Sequence, residues 1–446
     1  MRQGEGHTIY MLGIGGIGMS ALARYYHSHG YTVAGYDRTP SPLTQQLEDE
    51  GMAIHYEDNP SLLPALIDFV VYTPAVPKDL KEFETLRQNN IKILKRSEAL
   101  GQVSEHHFTI AVAGTHGKTT TTAMVAHILH TCGKDTTAFI GGIANNFNSN
   151  LLLGQGKDSI MVVEADEYDR SFLRLHPNLS IINSIDADHL DIYGDRQHLV
   201  AGFNDFAQLT EGKVIVKEGL AIHTDRGIRF GFSDSCDYRA EIIKSEKGVT
   251  DFVIHGEGQK TEVRLPMAGD HNVLNATAAF IAARQIGIEP NAIAKALSTF
   301  KGVKRRFDMR VNNEKYCYID DYAHHPEEIR SCLTAVKASF PKKLLTLVFQ
   351  PHLFSRTRDF MDEFASVLAL ADKLILLDIY PARELPIEGI TSQALLNKVQ
   401  TNNKRLCQKA DLVALIDNEK PELLVTMGAG DIDRFVEPLE NMIKTW

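Results

Sequence analysis

Short apolar runs rich in β-branched residues alternate along the chain with longer stretches in which apolar residues return every three or four positions, beginning with Thr8–Leu12 and then Ala21–His29. A continuous or period-two apolar run reads as a strand and a spacing near 3.6 as a helix. The alternation of the two predicts βαβ units on parallel sheets, so the expected class is α/β. Three strand-led restarts, Ile9–Gly18, Phe108–Thr122 and Lys343–Gln350, each open a new block. Ile91–Gln102 joins the first two without a disorder-like linker. Phe300–Arg310 joins the last two, its KGVKRRFDMR being too charged for a strand interior. Domains are therefore expected at 1–107, 108–308 and 309–446. Within the middle block, Asp251–His255 and Thr261–Leu265 alternate in polarity around the turn-like GEGQK, which predicts a β-hairpin insertion.

Length agrees with this division, since 446 residues at roughly 150 per domain is about three domains. Hydrophobic residues at 43% and charged residues at 23% leave enough apolar volume for packed cores and exclude a disordered chain. The net charge of −10 is spread along the sequence, so neither a nucleic acid nor a membrane is expected as partner, while a local basic pocket for a phosphorylated small molecule is compatible with it. The five cysteines, Cys132, Cys236, Cys317, Cys332 and Cys407, are scattered and form no CxxC pair, which argues against a disulfide framework or a zinc-thiolate site. No basic-then-apolar leader is seen, and no run approaches the roughly 18 apolar residues of a membrane span, so a cytoplasmic location is expected.

Two segments carry phosphate chemistry. Thr8–Leu12 runs into Gly13-x-Gly15-x-x-Gly18, then a helical stretch, a second strand at Thr32–Tyr36 and Asp37. Glycines at this spacing bring backbone close to a pyrophosphate at a helix N-terminus, and an acid about 20 residues on suits a ribose hydroxyl. Three readings stay open on this pattern: a nicotinamide or flavin dehydrogenase, another nucleotide-diphosphate ligand, and a tight structural turn. The second segment is the strand Phe108–Ala113 leading into Gly114-Thr115-His116-Gly117-Lys118-Thr119-Thr120 and a helix. Its amides suit phosphates, Lys118 the terminal pair and Thr119 a divalent cation. The strict G-x-x-x-x-G-K-[ST] pattern asks for glycine at 112, where Val112 stands. A strand at Ser159–Val163 delivers Glu164 as a candidate cation ligand, ahead of Asp166, Glu167 and Asp169. A further strand, Leu179–Ile182, ends at Asn183 and leads to Asp188-His189-x-Asp191, a candidate metal ligand or base cluster.

In this order, GTHGKTTTT, EADE, the N-x-x-x-x-D-H-x-D of Asn183–Asp191 and GDHNVLNA (Gly269–Ala276) resemble the Mur ligases, ATP-dependent amide-forming enzymes of peptidoglycan precursor synthesis. The resemblance spans essentially the whole chain. GIGGIGMSALA, DDYAHHPEE (Asp320–Glu328) and QPHLFSRT (Gln350–Thr357) are similar to the branch that joins L-alanine to UDP-N-acetylmuramate. It implies three domains: a Rossmann-like one for the UDP-sugar, a P-loop ATPase-like one with a parallel sheet, and a Rossmann-like one for the amino acid. It also moves the first glycine cluster from a nicotinamide to UDP, with Gly13, Gly15, Gly16, Ile17, Gly18 and Asp37 as contacts.

Carried over residue by residue, the resemblance implies that Gly114, Thr115, His116, Gly117, Lys118, Thr119 and Thr120 hold ATP phosphates. Thr119 and Glu164 would bind one Mg²⁺ or Mn²⁺, and His189 a second; Lys118, Asn183 and His189 would be the catalytic set. His271, Asn272 and Asn275 would lie around the adenine, Asn275 as its preferred contact, with Arg306 and Asp321 closing over phosphate and ribose. Tyr322, His352 and Arg356 would form the amino-acid pocket, the Arg356 guanidinium pairing with the carboxylate. Two departures are visible: Leu353 stands where some relatives carry a second arginine, and no lysine occurs between Leu190 and Gly212, where sister ligases carry a carbamylated one. The implied chemistry is an acyl phosphate attacked by the amine, in a monomer or homodimer. A Mur-type ligase for another amino acid or peptide is the alternative; a dehydrogenase would leave Lys118, Glu164 and His189 idle.

Overall fold

The structure, a computed structural model, describes residues 6–77, 79–156, 158–186, 193, 195–382 and 384–446. Among the described residues the strands form three sheets. The first contains β1 (Thr8–Leu12), β2 (Thr32–Tyr36), β3 (Ala53–His55), β4 (Phe69–Tyr72) and β5 (Lys92–Lys95) in the order β3-β2-β1-β4-β5, all parallel. The order reverses at β1, so the crevice beyond its C-terminal end is a topological switch point.

The second sheet contains β6 (Thr109–Ala113), β7 (Thr136–Ala144), β8 (Ser149–Leu152), β9 (Ile160–Glu164), β10 (Leu179–Ile182), β11 (Val214–Lys217), β12 (Gly227–Gly231), β13 (Tyr238–Glu246), β14 (Val249–Gly256) and β15 (Gln259–Leu265). Their order is β15-β14-β13-β12-β11-β10-β6-β9-β7-β8. Every residue of β6 is buried, which is why TIAVA reads as an unbroken apolar run rather than an alternating one. The insertion at the far end has one strand more than expected. β13, β14 and β15 follow one another through the left-handed turns Lys247-Gly248 and Glu257-Gly258, the second lying inside the predicted GEGQK.

The third sheet contains β16 (Asp308–Asn312), β17 (Cys317–Asp321), β18 (Leu345–Phe349), β19 (Lys373–Leu376), β20 (Lys404–Leu406) and β21 (Leu423–Met427), in the order β16-β17-β21-β18-β19-β20. Only the edge strand β16 is antiparallel. Despite its charge, Asp308-Met309-Arg310 is strand. Arg310 reaches Asp308 Oδ2 at 3.1 Å and donates from Nε to Glu440 Oε2 at 2.9 Å, so the charges at this sheet edge offset one another.

Packing divides the chain into two compact units, Met1–Arg239 with His255–Gln259 and Asn275–Ala296, and Ala240–Ile254 with Lys260–Leu274 and Leu297–Trp446. In the first unit one core joins Met19, Leu22 and Tyr26 of the helix Ile17–Ser28 to Phe139, Leu151 and Met161 of the second sheet. Polar contacts run alongside it: Arg24 Nη1 donates to Asn150 Oδ1 at 2.7 Å, and Asn150 Nδ2 donates to Ile17 O at 2.6 Å and Ser20 Oγ at 2.9 Å. In the second unit Tyr318, Val348, Ile375 and Leu424 pack with Leu412, Ile416 and Leu439. No helix among the described residues is long and apolar enough to cross a membrane.

Candidate active site

Parallel register brings three strand ends together. β6 pairs with β9 so that Val112 lies beside Glu164, and with β10 so that Ala113 lies beside Ile182, one residue before Asn183. Val112 is therefore inside the sheet and fully buried, which explains why it need not be the glycine of the strict phosphate-loop pattern. After Ala113 the chain turns through Gly114–Gly117 into the helix Lys118–Thr131. Gly117 is left-handed at φ 80°, and a β-carbon there would lie 2.5 Å from Asn275 Oδ1 and 3.2 Å from Asn183 Nδ2, so glycine is required both by backbone and by space.

The loop is tied to the segment after β10. Thr115 N donates to Ser184 O at 3.2 Å, His116 N to Ser184 Oγ at 2.7 Å, and Asp186 N to Thr115 Oγ1 at 3.0 Å. Two amides expected on phosphate are thus used within the protein. The groups left by helix geometry are the first N–H groups of the helix, those of Lys118, Thr119 and Thr120, because the Thr121 amide already donates to Gly117 O at 3.0 Å. Asn183 Nδ2 donates to Thr121 Oγ1 at 2.8 Å and lies 3.5 Å from Asn275 Oδ1, so the sequence-distant Asn183 and Asn275 meet at the loop.

Lys118 does not extend into solvent. Its Nζ donates to Gly114 O at 2.7 Å and to both oxygens of Glu167 at 2.9 and 2.8 Å, the Glu167 side chain being fully buried. Burial alone would lower the Lys118 ammonium, but the carboxylates of Glu167, Asp166 and Glu164 outweigh it and raise it, so the lysine stays charged. Glu167 was legible only as the fourth residue of EADE; nothing in its spacing marks it as the partner of Lys118.

Thr119 Oγ1 donates to Glu164 Oε2 at 2.9 Å, and Gly141 N donates to the same oxygen at 3.0 Å. A hydroxyl and a carboxylate side by side at a phosphate loop are hard oxygen donors of the type Mg²⁺ and Mn²⁺ take, so these residues fit such a cation. Among the described residues no group of three or more His, Cys, Asp or Glu side chains forms a metal cluster. His189, with Asp188 and Asp191, lies outside the described residues.

At the other glycine cluster, Gly15 N donates to Asp37 Oδ2 at 2.8 Å, and a β-carbon on Gly15 would meet that oxygen at 2.8 Å and Thr44 Cγ2 at 2.6 Å. The strand end and the acid are therefore in contact, with Gly16 capping the helix that starts at Ile17. Arg96 is a residue missed by the motif: its guanidinium lies 3.0 Å from where a Gly18 β-carbon would be. On the helix Asp270–Gln285, Asn272 Nδ2 donates to Ala268 O at 2.8 Å and is almost fully buried, whereas Asn275 reaches the loop as described.

In the second unit the neighbouring arginines of KRRF differ in their partners. Arg305 Nε donates to the fully buried Asp320 at 3.2 Å, and its Nη2 donates to Gly428 O. Both guanidinium groups lie over the Tyr322 ring, that of Arg305 5.3 Å and that of Arg306 5.0 Å from its centroid, so what sets Arg305 apart is its pairing with buried Asp320. Asp321 holds this loop from below: Phe307 N donates to its Oδ2 at 2.6 Å and Ala323 N to its Oδ1 at 2.7 Å. Its carboxyl is pushed up to about 6 by burial, against the pull of those two amides.

Tyr322, His324 and His352 form a chain of rings, with centroids 5.2 Å apart between the first two and 6.0 Å between the last two. His324 was not singled out from sequence. Its Nδ1 lies 3.0 Å from Tyr322 O, which makes Nδ1 the protonated nitrogen and Nε2 the basic one. Burial, together with Arg356 and Arg306 and against Glu328, lowers it below its usual range, so it is neutral near pH 7. Leu353, at the position of the absent second arginine, starts the helix Phe354–Asp359 with a left-handed φ of 72°, and that helix carries Arg356.

Residues 8–108 match the Mur ligase family, catalytic domain; residues 112–283 the Mur ligase middle domain; and residues 305–430 the Mur ligase, glutamate ligase domain. The chain is 47% identical to the UDP-N-acetylmuramate–L-alanine ligase of Cytophaga hutchinsonii, over 97% of this chain and 96% of that protein. It is 49% identical to the ligase of the same name from Christiangramia forsetii, over 97% of each. Among solved structures, the UDP-N-acetylmuramate–alanine ligase of Thermotoga maritima superposes with a TM-score of 0.85 at 28% identity, covering 98% of this chain and 99% of that one. With phosphate loop, acid-tipped strand and full-length relatives in agreement, the chain belongs to the Mur ligase family.

Proposed function

We propose that this chain joins the lactyl carboxylate of UDP-N-acetylmuramate to the amine of L-alanine with consumption of ATP, in peptidoglycan precursor synthesis. The observation that carries the reading is the meeting of three strand ends, which sets Lys118, Glu164 and Asn183 around one phosphate loop. A carboxylate oxygen attacks the γ-phosphorus of ATP and ADP leaves. The amine nitrogen then attacks the acyl carbon of the resulting acyl phosphate, the carbon–oxygen bond to phosphate breaks, and the nitrogen gives up its proton. Two anions must meet in the first step, so preorganised positive charge is the main contribution the protein makes. Lys118, charged and fixed, supplies it together with the first amides of its helix. Thr119 and Glu164 would hold Mg²⁺, which when bound neutralises phosphate charge.

For the second step the amino acid arrives as an ammonium and must be deprotonated. Neutral His324, its Nδ1 committed to Tyr322 O, presents a basic Nε2 among Tyr322, His352 and Arg356. Arg356 is the carboxylate partner, alone because position 353 is leucine. The first sheet's switch point, with Gly13, Gly15, Gly16, Ile17, Gly18 and Asp37, takes the UDP pyrophosphate and ribose. The test is phosphate release with ATP, Mg²⁺ and UDP-N-acetylmuramate against L-alanine, glycine, L-serine, D-glutamate and the murein tripeptide. Release requiring both the UDP-sugar and L-alanine is expected. Release with the tripeptide or D-glutamate alone keeps the family and overturns the alanine assignment.

A further inference from the structure

We infer that Glu167 is a positioning residue that tunes nucleotide affinity by offsetting part of the charge of Lys118. The inference rests on the proposed reading of the Lys118 loop as the ATP phosphate site. Glu167 is fully buried and holds Nζ with both oxygens, at 2.9 and 2.8 Å, so the pair is screened by water less than a surface pair is. Its backbone is held from behind: Tyr193 Oη and Arg170 N both donate to Glu167 O, at 2.8 and 3.0 Å. The chain then passes through Asp169 and Arg170, both left-handed at φ 53°, a conformation non-glycine residues adopt at a cost in free energy. The Arg170 guanidinium lies 5.5 Å from the centroid of the Tyr193 ring, closing the clasp.

A carboxylate fixed this firmly beside a phosphate-loop lysine has a cost for the substrate. Each phosphate that reaches Lys118 meets a lysine whose charge is partly offset and whose Nζ must exchange the Gly114 carbonyl, at 2.7 Å, for a phosphate oxygen. Affinity for the triphosphate is thereby held down, and so is affinity for ADP, which has to leave after each cycle. Removing the negative charge while keeping the shape, as in Glu167→Gln, leaves Lys118 without its hydrogen-bonded carboxylate, with Asp166 and Glu164 as the remaining nearby charges, and makes it a stronger anion site.

The test is calorimetric titration of the full-length chain with ADP and Mg²⁺, alongside steady-state rates. Glu167→Gln is expected to bind ADP on the order of tenfold more tightly and to lower the KM for ATP. Glu167→Asp, which withdraws the carboxylate by one methylene, is expected to move ADP affinity the same way by about threefold, and decides the matter if the glutamine variant does not fold. Unchanged or weaker ADP binding in a folded variant overturns the inference, because a purely structural ion pair would lower thermal stability without tightening the nucleotide. Native protein that binds no ADP overturns the loop assignment as well, whereas native binding with an equal affinity in both variants overturns the role of Glu167 alone.

Discussion

Gly117→Ala probes whether the phosphate loop is held in place by the two asparagines. The methyl group enters at φ 80°, where a non-glycine residue costs about 1–2 kcal/mol, and its carbon would lie 2.5 Å from Asn275 Oδ1. That atom cannot yield without cost, because Asn183 beside it is fixed by Ala113 O at 3.0 Å and Thr121 Oγ1 at 2.8 Å; losing one such bond adds about 1 kcal/mol. The sum is about 2–3 kcal/mol. Gly133 is the control: its φ is 76°, but a β-carbon there meets nothing within 4 Å, so Gly133→Ala carries the backbone term alone. At roughly 2–4 °C per kcal/mol, scanning calorimetry should show a Tm loss of about 2–8 °C for Gly133→Ala and about 4–12 °C for Gly117→Ala. Only Gly117→Ala should raise the KM for ATP, on the order of tenfold if about 1.4 kcal/mol of the displacement is felt by the phosphates. Equal KM values in the two variants, or a smaller Tm loss in Gly117→Ala, would refute the reasoning.

Arg305→Met leaves Asp320 buried without its guanidinium and should cost about 3–5 kcal/mol in urea unfolding, against about 1 kcal/mol or less for Arg306→Met; equal costs would show that the two arginines are not distinguished as described. Asp321, raised to about 6, binds its proton more tightly folded than unfolded, so its contribution is complete below about pH 4 and is lost as pH rises to about 6. Native stability should therefore fall by about 3 kcal/mol across that window on this account, and Asp321→Asn should remove that component from the pH profile; an unchanged slope would sink it. For His324, protonation blocks acceptance of the alanine proton, so kcat/KM for L-alanine should decline as pH falls through a value below the usual 6.5. His324→Gln should abolish that limb and slow the reaction by about 10²–10⁴, and a limb that survives the substitution would remove His324 from the step.

The elements were legible wherever local pattern and burial coincide. Thr8–Leu12, Thr32–Tyr36 and Leu179–Ile182 are strands with the predicted bounds, because apolar, β-branched runs bounded by polar residues have few other ways to bury themselves. Asp308–Asn312 escaped that logic: a charged segment became an edge strand through ion pairs with Glu440, a residue far along the sequence. The loop helix starts at Lys118 although Lys118–Thr122 are all polar and apolar residues begin only at Ala123, because the first turn carries groups of the site.

The sequence by itself determined the α/β class, the family and the chemical inventory of the site, since alternating periods, glycine spacing and the G-K-T, EADE and DDYAHH motifs are local properties of the chain. Tertiary structure alone decided which of those groups meet. Parallel register placed Glu164 beside Val112 and Asn183 after Ala113, folding matched Lys118 with Glu167 rather than with solvent, and the carbonyl of Tyr322 chose the tautomer of His324. The physical reason is that burial, charge neutralisation and hydrogen-bond direction depend on distances between residues far apart in sequence, and the chain acquires those distances only when its sheets are assembled.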